Sequence, residues 1–145
     1  MTNRDELRAF LLDFSIRLTK VEEEFLSAGL AMTITSPEIR ILEHIGPQGA
    51  AKMSGVARAL GVTLATLTVA CDRLEAKELI ERRRDENDRR SVCAVLTPLG
   101  LVAYHYHVSF HQHIAEVLLD GFSEEEARLF SRFMHNLNGF LENNQ

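Results

Sequence analysis

Residues 52–97 constrain this chain more than any other stretch, because two short apolar helical patterns, a glycine between them and a charged ribbon follow one another without a gap. Met53, Val56, Ala57 and Leu60 recur at helical spacing, and Gly61 can take the left-handed conformation that ends a helix sharply. Thr63 then stands where its side-chain oxygen would cap the next helix. On that second helix Leu64, Leu67, Cys71 and Leu74 share one face and are expected to pack on the first. The opposite face carries Thr63, Thr66, Thr68, Val69 and Arg73. Further on, Leu79 and Ile80, then Val92, Ala94 and Leu96, read as two half-buried strands. The segment between them, Arg82 to Arg90, holds five arginines against three acids.

Taken alone, a threonine-rich helix face or a charged hairpin tip is most often a solvated surface. Joined in this order they describe a winged helix-turn-helix, and its chemistry suits duplex DNA. Small hydroxyls, methyl groups and one long base fit a helix into the major groove. A wing-tip arginine suits the narrow, electronegative minor groove. The expected DNA-binding set is therefore Thr63, Thr66, Thr68, Val69, Arg73, Arg84, Arg89 and Arg90. Asp88 is expected to orient an arginine, since a carboxylate is repelled by phosphate.

The remainder reads as helix. Ser36-Pro37 opens a short helix that Gly46-Pro47 ends, and Thr97-Pro98 opens a longer one reaching about Asp120-Gly121. Ser123-Glu124-Glu125-Glu126 is a capping box for a last helix. The fold class is thus mainly α with a small β-wing, in one domain over 1–145. Residues 35–97 form the winged helix-turn-helix, and 1–34 and 98–145 supply long terminal helices.

With 145 residues and 46% apolar content the chain can bury one good core. Its formal charge of -5 argues against a general nucleic-acid coat but not against a specific DNA reader with segregated charge. Acids gather at Glu22 to Glu24 and Glu124 to Glu126, away from the wing. No run approaches a membrane span and Met1 to Phe10 is too charged for a signal peptide, so a cytoplasmic protein with no membrane partner is expected. No nucleophile with its base and no complete metal site is visible, so neither an enzyme nor a bound cofactor is expected. A protein-interaction module that does not touch DNA is the competing class, and in it Arg89 and Arg90 would be dispensable.

Gly61-Val62-Thr63, the run Leu74-Glu75-Ala76-Lys77-Glu78-Leu79-Ile80-Glu81-Arg82, and Asp88-Arg89-Arg90 followed by Leu96-Thr97-Pro98-Leu99-Gly100 resemble the MarR family of bacterial transcription regulators. The resemblance covers nearly the whole chain. It implies base and phosphate contacts from the threonine-rich helix, minor-groove insertion by Arg90, and a homodimer that reads a palindrome. The chain departs from the family at two places. Glu78 stands where glycine is usual, at a cost of about 1 kcal/mol if the left-handed conformation were kept, so the helix is expected to end differently. Lys52 stands where a Ser or Thr cap is usual.

Leu7, Leu11, Phe14, Leu18, Val21 and Phe25 form an apolar stripe on the first helix, and Leu129, Phe130, Phe133, Leu137, Phe140 and Leu141 form one on the last. Spacing alone allows these stripes to fold back on the winged helix or to meet a partner, and the resemblance implies the partner. His105, His107, His111 and His113 crowd the helix before the last, with His107 and His111 one turn apart. They either border a ligand pocket or belong to a zinc-responsive regulator, which some family members are. A closed zinc site needs four ligands, and the sequence names no further one. Cys71 is expected on the buried side of its helix and Cys93 on the outward face of the wing strand, which is no disulfide framework.

The segment from His107 to Glu126, with Asp88-Arg89-Arg90, is similar to the FabT-like branch of the family, which represses fatty-acid synthesis. That resemblance implies a long acyl chain on acyl carrier protein as effector. Phe14, Leu18, His107, Phe110, His111 and Ile114 are the candidate pocket residues.

Overall fold

The computed structural model describes residues 3–144. Its elements run α1 (Asn3–Leu30), α2 (Ser36–Ile45), β1 (Ala51–Lys52), α3 (Met53–Leu60), α4 (Leu64–Ala76), β2 (Ile80–Arg84), β3 (Val92–Leu96), α5 (Pro98–Leu119) and α6 (Glu124–Glu142). Local chemistry sets most of these bounds. Thr63 caps α4 by accepting from Thr66 N at 3.1 Å, and Ser123 and Glu126 close the capping box of α6. At α5, Thr97 Oγ1 accepts from Gly100 N at 3.0 Å. The cap of α2 is Thr35 and not Ser36, with Glu38 returning a bond from its carboxylate to Thr35 N.

The chain divides into two compact units between Phe110 and His111, inside α5. The core of the first unit is built from Leu26, Ile34, Ile39, Leu42, Ile45, Met53, Val56, Leu67, Cys71, Leu74, Leu79 and Ile80, all buried. Helices α3 and α4 meet at 109°, within the range of a helix-turn-helix, and Gly61 between them has φ 66°. The sheet is antiparallel in the order β1-β3-β2, with Ala51 opposite Ala94 and Arg82 opposite Ala94 on the other side. In the second unit α6 has no buried residue. Among the described residues, no single helix is long and apolar enough to cross a membrane.

Three expectations are corrected. Glu78 keeps the left-handed conformation, at φ 59°, and α4 ends in a complete Schellman pair: Leu79 N donates to Leu74 O at 3.0 Å and Glu78 N to Glu75 O at 2.9 Å. Burial of both Leu74 and Leu79 supplies the apolar contact that goes with this cap. Leu64 does not pack away with Leu67, Cys71 and Leu74; it is 51% exposed. Cys93 does not face outward but is buried. The reason is β1, too short to announce itself by alternation, which makes β3 a central strand and sets Lys52 opposite Cys93. An ion pair between Lys52 and Asp85, at 3.5 Å, borders the same cleft as Cys93. Burial pushes both thiols above their ordinary range.

Candidate nucleic-acid interface

The exposed face of α4 is the one the sequence expects. Thr63, Thr66, Val69 and Arg73 are exposed and Thr68 is half-buried. Their hydroxyls are not equivalent. Thr63 Oγ1 accepts the capping bond and donates to Thr66 Oγ1 at 2.9 Å, while Thr68 Oγ1 donates to Leu64 O at 2.8 Å. Thr66 therefore keeps its own hydroxyl proton to donate outward, Val69 offers methyl groups, and Arg73 offers a guanidinium.

The wing tip is a tight turn organised by two carboxylates. Asp85 N donates to Ser91 O at 2.9 Å, and Asn87 N donates to Asp85 Oδ1 at the same distance. Asp88 accepts from Arg90 N and from Ser91 Oγ, each at 3.1 Å. Asp88 thus holds the backbone of Arg90 in place and leaves its guanidinium projecting. Backbone bonding, chiefly from Asn87, and the nearby Lys52 hold the Asp85 carboxyl below its usual range.

Of the five arginines in the segment, the structure separates two kinds. Arg82 turns back to α4, where Nη2 meets Asp72 Oδ1 at 2.5 Å and Glu75 Oε2 at 2.7 Å, and Arg83 pairs with Glu81 at 2.9 Å. Among the described residues, Arg84, Arg89 and Arg90 hold no such ion pair, and all three are exposed. Between α4 and the wing lies a cleft of about 320 Å³ lined by Met53, Ser54, Leu64, Thr68, Arg82, Arg90, Ser91 and Val92. Recognition helix and wing tip therefore border one open groove. Sequence reasoning missed Ser54 and Ser91 on its rim, both without a periodicity to mark them.

The pocket candidates fall on both units. In the first, Phe14 stacks on Phe10 of its own helix at 4.7 Å, Leu18 is half-buried, and Phe110 lies 5.4 Å from Phe25. His111 is exposed and Ile114 half-buried in the second. His107 Nδ1 lies 2.6 Å from Glu22 Oε1, and Nε2 lies 3.7 Å from Glu43 Oε1. Two acids that the sequence could not connect with the histidine, one of them 85 positions away, are thereby its neighbours.

A crossed helix pair with a polar reading face, followed by a wing whose tip presents arginines beside it, defines a winged helix-turn-helix protein of the DNA-reading kind. The MarR family model matches residues 34–92. The chain is 27% identical over 127 residues to the HTH-type transcriptional repressor MdtR of Bacillus subtilis, covering 87% of this chain and 82% of that protein. It is similar to the crystal structure of Streptococcus pneumoniae FabT in complex with DNA, with 32% identity, a TM-score of 0.87, and coverage of 99% of this chain and 100% of the other. RV1404 from Mycobacterium tuberculosis, at 22% identity and a TM-score of 0.78, shares the fold, covering 96% of this chain and 94% of its own. The chain belongs to the MarR family and is a DNA-binding transcriptional regulator, not an enzyme.

Proposed function

We propose that the protein is a repressor that works as a homodimer on a palindromic operator, each protomer laying α4 in the major groove and its wing tip in the adjacent minor groove. The shared groove between α4 and the wing carries this reading, because one stretch of duplex can meet both elements only if they border the same space. Thr66, Val69 and Arg73 read base edges and thymine methyls. Thr63 and Thr68, whose hydroxyl protons are engaged, contribute shape and acceptor oxygens. Arg84 and Arg89 meet phosphates, and Arg90, braced by Asp88, enters the minor groove. The similarity to FabT, which was crystallised with DNA, supports the docking, and the repressor MdtR supports the sign.

Dimerisation is supported by the apolar faces left open on each unit: Leu7, Leu11 and Val21 on α1, and Leu129, Phe133, Phe140 and Leu141 on α6, all more than a third exposed. A small ligand then biases the separation of the two recognition helices. An acyl chain, delivered by acyl carrier protein, is the first candidate, and it would act in the cytoplasm, where the DNA is. The test uses a palindrome selected by the wild-type protein from a random duplex pool. Arg90→Ala should weaken binding roughly tenfold or more, about 1.4 kcal/mol, with the dimer intact. Unchanged affinity would remove the wing from the reading.

A further inference from the structure

Arg82 is a wing residue whose guanidinium turns back to α4. Glu75 grips it twice, accepting from Arg82 N at 2.9 Å with one oxygen and from Nη2 at 2.7 Å with the other, and Asp72, just under one turn earlier on α4, accepts from the same Nη2. The side chain is 23% exposed, and it lines the groove that Thr68 and Arg90 also line. This clamp is not all that joins α4 to the sheet, since Leu74, Leu79 and Ile80 are buried in the core. Its position gives it a different task. The covalent link from α4 to β2 is Lys77 to Leu79, with Glu78 in the left-handed conformation at its centre. That junction fixes where β2 starts, at Ile80, but the strand's end at Arg84 lies four residues further on. Arg82 lies three residues beyond Leu79 and two before Arg84, where the strand ends and the tip begins, so a clamp there sets the angle at which the tip leaves the helix.

We infer that Arg82, acting through Asp72 and Glu75, is a positioning residue that holds the wing at one angle to the recognition helix, so that major-groove and minor-groove contacts form together on one DNA site. The inference rests on the proposed roles of α4 and Arg90. It also separates Arg82 from the other arginines of the segment. A guanidinium already held by two carboxylates does not neutralise phosphate, so its loss should lower affinity without lowering the number of counterions released.

The test is a double-mutant cycle on the selected palindrome, read by fluorescence anisotropy at several salt concentrations, with thermal melts and native mass spectrometry confirming folded dimers. Arg82→Met should weaken binding roughly tenfold and leave the dependence of log affinity on log salt unchanged. Added to Arg90→Ala, it should cost clearly less than it does alone, because a wing without its minor-groove residue keeps only the phosphate contacts of Arg84 and Arg89 to be held for. Asp72→Asn with Glu75→Gln, which opens the clamp from the helix side and keeps Arg82, should show the same loss of effect in the Arg90→Ala background and covers the case in which Arg82→Met fails to fold. The inference is overturned if Arg82→Met binds like wild type, if its salt slope falls by about one, as for a lost phosphate contact, or if its cost is undiminished in the Arg90→Ala background. If Arg90→Ala alone changes nothing, the underlying wing reading fails instead.

Discussion

At the scale of single residues, Glu78 shows how a local preference is overruled. A non-glycine residue in the left-handed region carries a cost of about 1 kcal/mol, yet the residue stays there because four bonds and two leucines agree on that geometry. Besides the Schellman pair, Glu78 O accepts from Thr97 Oγ1 at 2.6 Å, and Thr97 N donates to Leu79 O at 3.1 Å. On the other side of the junction, a Cβ on Gly100 would stand 1.9 Å from Leu79 O, so the first turn of α5 must carry at that position a residue that has none. The backbone here is over-determined and the side chain of Glu78 is incidental. Glu78→Gly should therefore raise stability, by up to about 1 kcal/mol, less the entropy that glycine adds to the unfolded chain. Urea denaturation measures this, and a destabilised variant would show that the carboxylate has a role of its own.

At the scale of elements, the contact between α4 and β2 is partly electrostatic and so depends on pH. The Arg82 guanidinium, bonded to Glu75, holds that carboxyl below its ordinary 4.5. A group whose folded value is depressed contributes stability above its unfolded value and loses it as pH falls through the folded one. Wild type should therefore exceed Glu75→Gln in stability at pH 6, and the gap should narrow as the pH drops below about 4.5 and close in stronger acid. Parallel denaturation curves across that range check it. A gap that is constant with pH would assign the effect to packing. A second inter-element pair was invisible in the sequence: Lys77 Nζ donates to both oxygens of the buried Glu38, at 2.8 and 2.9 Å, and to Thr33 O at 2.7 Å. It ties the end of the recognition helix to the start of α2. Removing one partner of such a buried pair leaves an uncompensated charge, which makes this contact one the fold depends on.

At the scale of the whole molecule, the first unit has a closed core and the second does not. Every residue in the core of buried side chains lies at or before Phe110, whereas α6 leaves Leu129, Phe133, Phe140 and Leu141 between 37% and 64% exposed. Apolar surface on that scale is what an obligate partner covers. The wild-type protein should run as a dimer in native mass spectrometry, and Phe133→Glu should shift it toward monomer and weaken operator binding. A monomeric wild type, or a variant with unchanged assembly, would sink the dimer.

Most of the local structure was legible in the sequence, because its causes lie within four residues: the caps at Thr63 and Ser123, the turn at Gly61, the apolar faces of α3 and α4, and the charged tip between two short strands. The reading face of α4 was legible for the same reason, being the complement of a buried helical stripe. What the tertiary structure alone decided were pairings between distant residues, which no periodicity encodes. Lys77 meets Glu38 across 39 positions and His107 meets Glu22 across 85, and a two-residue strand buries Cys93. The same holds for Arg82. In sequence it is one of five basic residues in a run, left out of the expected DNA-binding set without a partner to explain it, and only the approach of α4 to β2 gives it two carboxylates to hold.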